Sequence, residues 1–129
     1  MIPSLRSISR GVAYPLAMLR RQNSTASPAA PKKWFALQYT YDANTIEDLV
    51  LKRAPFRGAH LAHATAARDA GLLAFGGAFS DCPTGGLLIF DGASKEQVET
   101  FARTDPYVVS RLVKSFAVRE WVVVLERGS

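Results

Sequence analysis

A small α+β domain of β-α-β-β-α-β order is predicted by three features of this 129-residue sequence. Four segments rich in aliphatic and aromatic residues, at 34–41, 72–79, 86–90 and 116–125, read as strands. An Ala-rich stretch from Arg57 to Ala70 lies between the first and second of them and reads as a helix. A second helix, with its own start signal after Ser94, lies between the third and fourth. This order is the ferredoxin-like split-βαβ pattern, in which both helices pack on one face of an antiparallel sheet.

The elements follow in turn. WFALQYTY (34–41) is a first strand, ended by Asp42-Ala43-Asn44. The helix over 57–70 carries Ala59, Ala62, Ala66 and Ala70 on one stripe, suited to close packing on a sheet, and Gly71 supplies its stop. The segments LLAFGGAF (72–79) and GLLIF (86–90) are joined by the turn-rich SDCPTG, and Gly76-Gly77 and Gly85-Gly86 read as turn glycines. Asp91-Gly92 turns the chain again. Ser94 and Gln97 have capping-box spacing, and Val98, Phe101 and Ala102 form the buried stripe of the helix they start. Asp105-Pro106 ends that helix and begins a short one, with Asp105 as N-cap and Pro106 at the first helical position. FAVREWVVVL (116–125) is the last strand.

Several of these strands are apolar on both faces. In the last, Val122 and Val124 point one way and Trp121, Val123 and Leu125 the other. Helices cover one face only, so the other needs a cover. A second subunit, sheet against sheet, is the simplest, and a homodimer is expected.

Charge divides the chain in two. Residues 1–31 hold Arg6, Arg10, Arg20 and Arg21 and no acid, whereas 32–129 hold 12 Lys and Arg against 11 Asp and Glu. An Arg-, Ser- and Ala-rich, acid-free first segment has the composition of a mitochondrial transit peptide, and Leu5, Ile8 and Val12 share a helical face beside Arg6 and Arg10. The expected organisation is a targeting peptide and linker over 1–31, a domain over 32–129, and a mitochondrial-matrix location. The near-neutral body has no electrostatic footprint for nucleic acid, and the third strand, GLLIF, has one aromatic residue and no cation for an RNA platform. No run of eighteen apolar residues is present, so no membrane anchoring is expected.

Two local groups carry chemistry. Arg57 and His60, three residues apart at the start of the first long helix, share a face and pair a fixed cation with a group that exchanges protons near neutral pH. Asp105-Pro106-Tyr107-Val108 is a helix start whose cap carboxylate is also free to face a cleft. His63 completes a His-x-x-His spacing with no third ligand near it, so no metal is expected. Cys82 is the single cysteine. It has no neighbour in sequence that lowers its pKa, and Asp81 raises it, so it reads as a small loop residue. No phosphate-cradling glycine loop or Cys/His cluster is present, and no cofactor is expected.

Taken in order, Phe35–Tyr41, Arg57-x-x-His60-Leu61, Gly71-x-Leu73-x-x-x-Gly77, Gly85-Gly86, Phe101-Ala102, Asp105-Pro106-Tyr107-Val108 and Val118-Arg119-Glu120-Trp121 resemble the YCII-related family over residues 34–126. The resemblance implies a dimeric α+β barrel of ferredoxin-like subunits, similar in architecture to muconolactone isomerase. It also implies a site holding the family's His and Asp, here His60 and Asp105. Many members have Gly-Pro after the second strand, where this chain has Gly76-Gly77 with Ser80 and Asp81 close behind. One branch of the family is similar to enzymes that remove chloride from chlorinated hydroxyquinols.

The expected function is cofactor-independent acid–base chemistry of lyase or isomerase type on a small cyclic or aromatic metabolite. His60 moves the proton and Asp105 orients it, while Arg57, Tyr107 and Ser80 bind substrate. The alternative is a non-catalytic, ligand-binding or stress-associated dimeric module that uses the same pocket.

Overall fold

The computed structural model describes residues 33–128. Its elements are β1 (Trp34–Tyr41), α1 (Ile46–Asp69), β2 (Leu73–Ala78), β3 (Gly85–Asp91), α2 (Lys95–Thr104), α3 (Pro106–Val109) and β4 (Val113–Trp121). The strands form one antiparallel sheet in the order β2-β3-β1-β4. Both long helices are split-βαβ crossovers, as the element order predicts. The expected leader over 1–31 lies outside the described residues. Among the described residues, no helix is long and apolar enough to cross a membrane.

The core lies between the sheet and the helices. Phe35, Leu37, Tyr39 and Tyr41 alternate along β1 toward it and meet Leu88 and Phe90 of β3, Val98, Phe101 and Ala102 of α2, and Tyr107 of α3. The α2 stripe is the predicted one. Its capping box is formed, with Gln97 N–H donating to Ser94 Oγ at 3.1 Å and Ser94 N–H to Gln97 Oε1 at 2.8 Å. Asp105 caps α3 with Pro106 at its first position, as expected. Gly71, at φ +80°, takes the left-handed conformation that ends α1, and Leu72 N–H donates back to Ala67 C=O at 3.0 Å.

Three expectations are corrected. Helix α1 starts eleven residues earlier than predicted, at Ile46, behind a Thr45 N-cap whose side chain accepts from Asp48 N–H. It runs through Pro55, whose missing N–H leaves the carbonyl of exposed Leu51 to water. Arg57 and His60 are therefore mid-helix. The Ala59, Ala62, Ala66 and Ala70 stripe is exposed, and α1 instead packs through Leu49, Ala64 and Ala67. Alanine marks no face by hydrophobic contrast, so the stripe was ambiguous. Second, β4 is Val113–Trp121, and Val122, Val124 and Leu125 are exposed beyond it. β1 begins at Trp34, opposite Trp121, and provides no backbone partner further along. Third, both glycine pairs lie within strands β2 and β3, not in turns.

The second face of the sheet carries Trp34, Ala36, Leu87, Ile89, Phe75 and Trp121 by register, with Gln38 hydrogen-bonded to Arg119 between them. Trp34 packs edge-on to Trp121 at 6.1 Å. Phe75 is 68% exposed and Trp121 46%. The two-faced apolar character is real, but it rests on β1, β2, β3 and Trp121 of β4 and not on the Val122–Leu125 run.

Candidate active site

Asp105 is the polar residue at the centre of the core, with 0% exposure. A buried carboxylate needs partners, and it has three donors. Tyr39 Oη donates to Oδ2 at 2.6 Å, His60 Nδ1 lies 2.8 Å from Oδ1 and 3.0 Å from Oδ2, and Tyr107 N–H donates to Oδ1 at 2.9 Å. Burial alone would raise the carboxyl pKa. The hydrogen bonds from His60, Tyr39 and the Tyr107 backbone outweigh it and hold the pKa below its usual value. The charge in turn pushes the Tyr39 phenol up, together with the larger effect of burial, so Tyr39 stays a neutral donor.

Because the ionised carboxylate only accepts, His60 carries its proton on Nδ1 and its lone pair on Nε2. Nε2 has no protein partner among the described residues, and His60 lines a cleft of about 390 Å³ between α1 and β2. Tyr107 lies flat against the imidazole, with ring centroids 3.8 Å apart and planes 7° apart. Its own hydroxyl is buried and finds no hydrogen-bond partner among the described residues, although the residue lines the same cleft.

The remaining wall comes from Tyr41 and from Arg53, Arg57, Leu61 and Arg68 of α1, and the floor from Leu73, Gly76 and Leu88. Tyr41 meets both Tyr39 and Tyr107 edge-on at 6.2 Å. Burial and the charges near it push its phenol up to about 12, against the pull of Arg53 and Arg57. Gly86 makes this arrangement possible, because a Cβ there would lie 2.7 Å from Tyr41 Oη.

Of the residues read from sequence, His60, Asp105, Arg57 and Tyr107 come together. Ser80 does not: it is exposed in the β2–β3 connection, outside the cleft lining. His63 points elsewhere, its Nε2–H donating to Phe101 C=O at 2.9 Å while its ring stacks on Phe101. It ties α1 to α2. No group of three His, Cys, Asp or Glu side chains suited to a metal occurs among the described residues. Cys82 departs from the expectation. The Thr84 hydroxyl, 3.4 Å from its sulfur, and the Thr84 backbone lower its pKa despite Asp81.

Residues 34–122 match the YCII-related domain, most of the chain. The chain belongs to the YCII-related family. This YCII-related protein is also similar in structure to 5-chloro-2-hydroxyhydroquinone dehydrochlorinase from Burkholderia phenoliruptrix, solved in complex with 2,5-dihydroxybenzoquinone. The TM-score is 0.53 at 21% identity, covering 68% of this chain and 92% of that one, a likeness of fold. No curated protein sequence matches the chain.

Sequence reasoning missed Tyr39, Tyr41, Arg53 and Arg68. A signal for the tyrosines was present, since 35, 37, 39 and 41 alternate inward and two of these four core positions carry a hydroxyl.

Proposed function

We propose that this YCII-related protein is a cofactor-independent acid–base enzyme of lyase or isomerase type, acting on a small cyclic or aromatic metabolite. The observation that carries the reading is His60, held by the buried Asp105, lining a partly apolar cleft with Nε2 left to a ligand. Nε2 takes a proton from an acidic O–H or C–H of the ring. The Tyr107 hydroxyl, which has no partner among the described residues, holds the oxyanion that results, and Arg57 in the cleft wall favours its negative charge. The electron pair then either returns as the imidazolium protonates a second ring atom, which is isomerisation, or expels a leaving group from the adjacent carbon, which is elimination. Asp105 fixes the tautomer and stabilises the imidazolium throughout. The structural neighbour, named for removing chloride from a hydroquinone, is in keeping with the second outcome.

The test is a turnover screen with halogenated hydroxyquinols and small unsaturated lactones. His60→Ala is expected to reduce any turnover by about 10²–10⁴-fold. Ligands that bind in the cleft and are never converted would support the alternative, a binding module.

We propose in addition that the protein works as a homodimer in the mitochondrial matrix. Dimerisation is supported by the open apolar sheet face with Phe75 and Trp121 exposed on it. Matrix targeting is supported by the acid-free, Arg-bearing composition of residues 1–31. A reporter carrying residues 1–31 that stays cytosolic would defeat the targeting reading.

A further inference from the structure

The acid–base reading gives Arg53 no role, yet Arg53 lines the cleft with Arg57 and Arg68, and no carboxylate of the described residues lines it. Arg68 already pairs with Asp69 at 3.0 Å on the rim. Arg53 and Arg57 form no ion pair or hydrogen bond with any described residue. They stand four positions apart on α1, a spacing at which like charges disfavour the helix. Two cations that line one cleft, without an acidic partner among the described residues, form a receptor for an anion. The buried Tyr107 hydroxyl, without a partner among the described residues, marks the place of a second polar group of the same ligand, the reacting oxygen.

Position along the helix separates this anion from the reacting centre. Arg57 is one turn from His60, and Arg53 a further turn, roughly 10 Å of helix axis from His60. Arg57 is thus the nearer cation to the reacting centre along α1 and Arg53 the farther. The paired guanidinium forks suit the planar, two-oxygen geometry of a carboxylate. Phosphate sites are commonly built from free backbone N–H groups at a helix start. Here both arginines lie inside α1, whose N–H groups are taken within the helix.

We propose that Arg53 and Arg57 form a carboxylate clamp, and that the substrate of the His60–Asp105 pair is a ring compound carrying a carboxylate apart from its reacting oxygen. The inference rests on the acid–base reading of His60, but the clamp is a separate device and is tested separately. The floor over Leu73, Gly76 and Leu88 accepts the ring, and Gly76 leaves it bare of a side chain.

The experiment is calorimetric titration of the full chain with 2,5-dihydroxybenzoate and with its neutral amide, 2,5-dihydroxybenzamide. The acid should bind about tenfold tighter or more, as expected for one charge-assisted fork, and its advantage should shrink as salt is raised. Arg53→Gln should remove most of the advantage, with Arg53→Lys retaining part of it. His60→Ala should leave the advantage in place, because the clamp does not use the imidazole. Equal binding of acid and amide, no measurable binding of the acid at millimolar concentration, or an advantage untouched by Arg53→Gln would each overturn the proposal. An Arg53-dependent advantage in a protein that converts no ring compound would uphold the clamp and remove the acid–base reading.

Discussion

His60 and Asp105, 45 positions apart, meet at 2.8 Å between Nδ1 and Oδ1. The same carboxylate caps α3 through Tyr107 N–H, and the Tyr107 ring stacks on the imidazole it has helped to place. One buried side chain thus does two things: it starts a helix, and it orients the imidazole. The cap and the functional role are compatible because the carboxylate has lone pairs for all of its donors.

The first prediction concerns the tautomer. In the unmodified protein, nitrogen NMR of neutral His60 should show the proton on Nδ1. Asp105→Asn should weaken that preference and lower turnover by about 10²–10⁴-fold while leaving the fold in place. An unchanged His60 tautomer in Asp105→Asn would mean that the carboxylate serves as a helix cap alone.

Acid stability follows from the same group. The folded-state pKa of Asp105 lies below its unfolded value, so the ionised form contributes stability at neutral pH. That contribution is complete above the unfolded pKa of about 3.9 and is lost as pH falls through the lower folded value. Urea midpoints measured from about pH 6 downward should therefore drop at the acid end, and Asp105→Asn should flatten that limb. Tyr39→Phe should cost about 1.5–3 kcal/mol, as expected for a hydrogen bond to a charged group, and should move the acid limb to higher pH. A Tyr39→Phe protein as stable as the parent would show that the 2.6 Å bond contributes nothing net.

A pair of glycines tests the shape of the cleft. Gly86→Ala would put a Cβ 2.7 Å from Tyr41 Oη and 2.9 Å from Cε2, forcing a buried ring to shift within the cleft wall. A loss of about 1–3 kcal/mol is expected, with weaker binding of cleft ligands. At Gly77 a Cβ meets nothing within 4 Å, so Gly77→Ala should be nearly neutral. Equal effects at the two positions would contradict the close approach of Tyr41 to β3.

The proposed homodimer is tested on its own face. Phe75→Asp or Trp121→Asp would place a charge on the apolar surface and should yield monomers by light scattering, with the single-chain fold retained. Val122→Asp, beyond the end of β4, should have a smaller effect. If the unmodified protein is a monomer at micromolar concentration, the dimer reading fails.

Element order and the short caps are legible in the sequence alone. Ser94 with Gln97, Asp105 with Pro106, and Gly71 are interactions or conformations spanning about one helical turn, and residue type nearly determines them. The Thr45 cap with Asp48 is a local signal of the same class, and the helix it begins runs through Pro55, a residue that disfavours a helix interior. The candidate His60, Asp105, Arg57 and Tyr107 were also legible, through local chemistry and family resemblance. Ser80 failed because closeness in sequence to a glycine pair does not put a side chain in a cleft. The end of β4 was misread because Val122–Leu125 have strand propensity, whereas a strand also requires a backbone opposite it, and β1 begins at Trp34. The convergence of Tyr39 from β1, His60 from α1 and Asp105 from the α2–α3 junction arose only when the sheet and helices packed. Burial then made one carboxylate need all three donors, and no local pattern in the chain encodes that requirement.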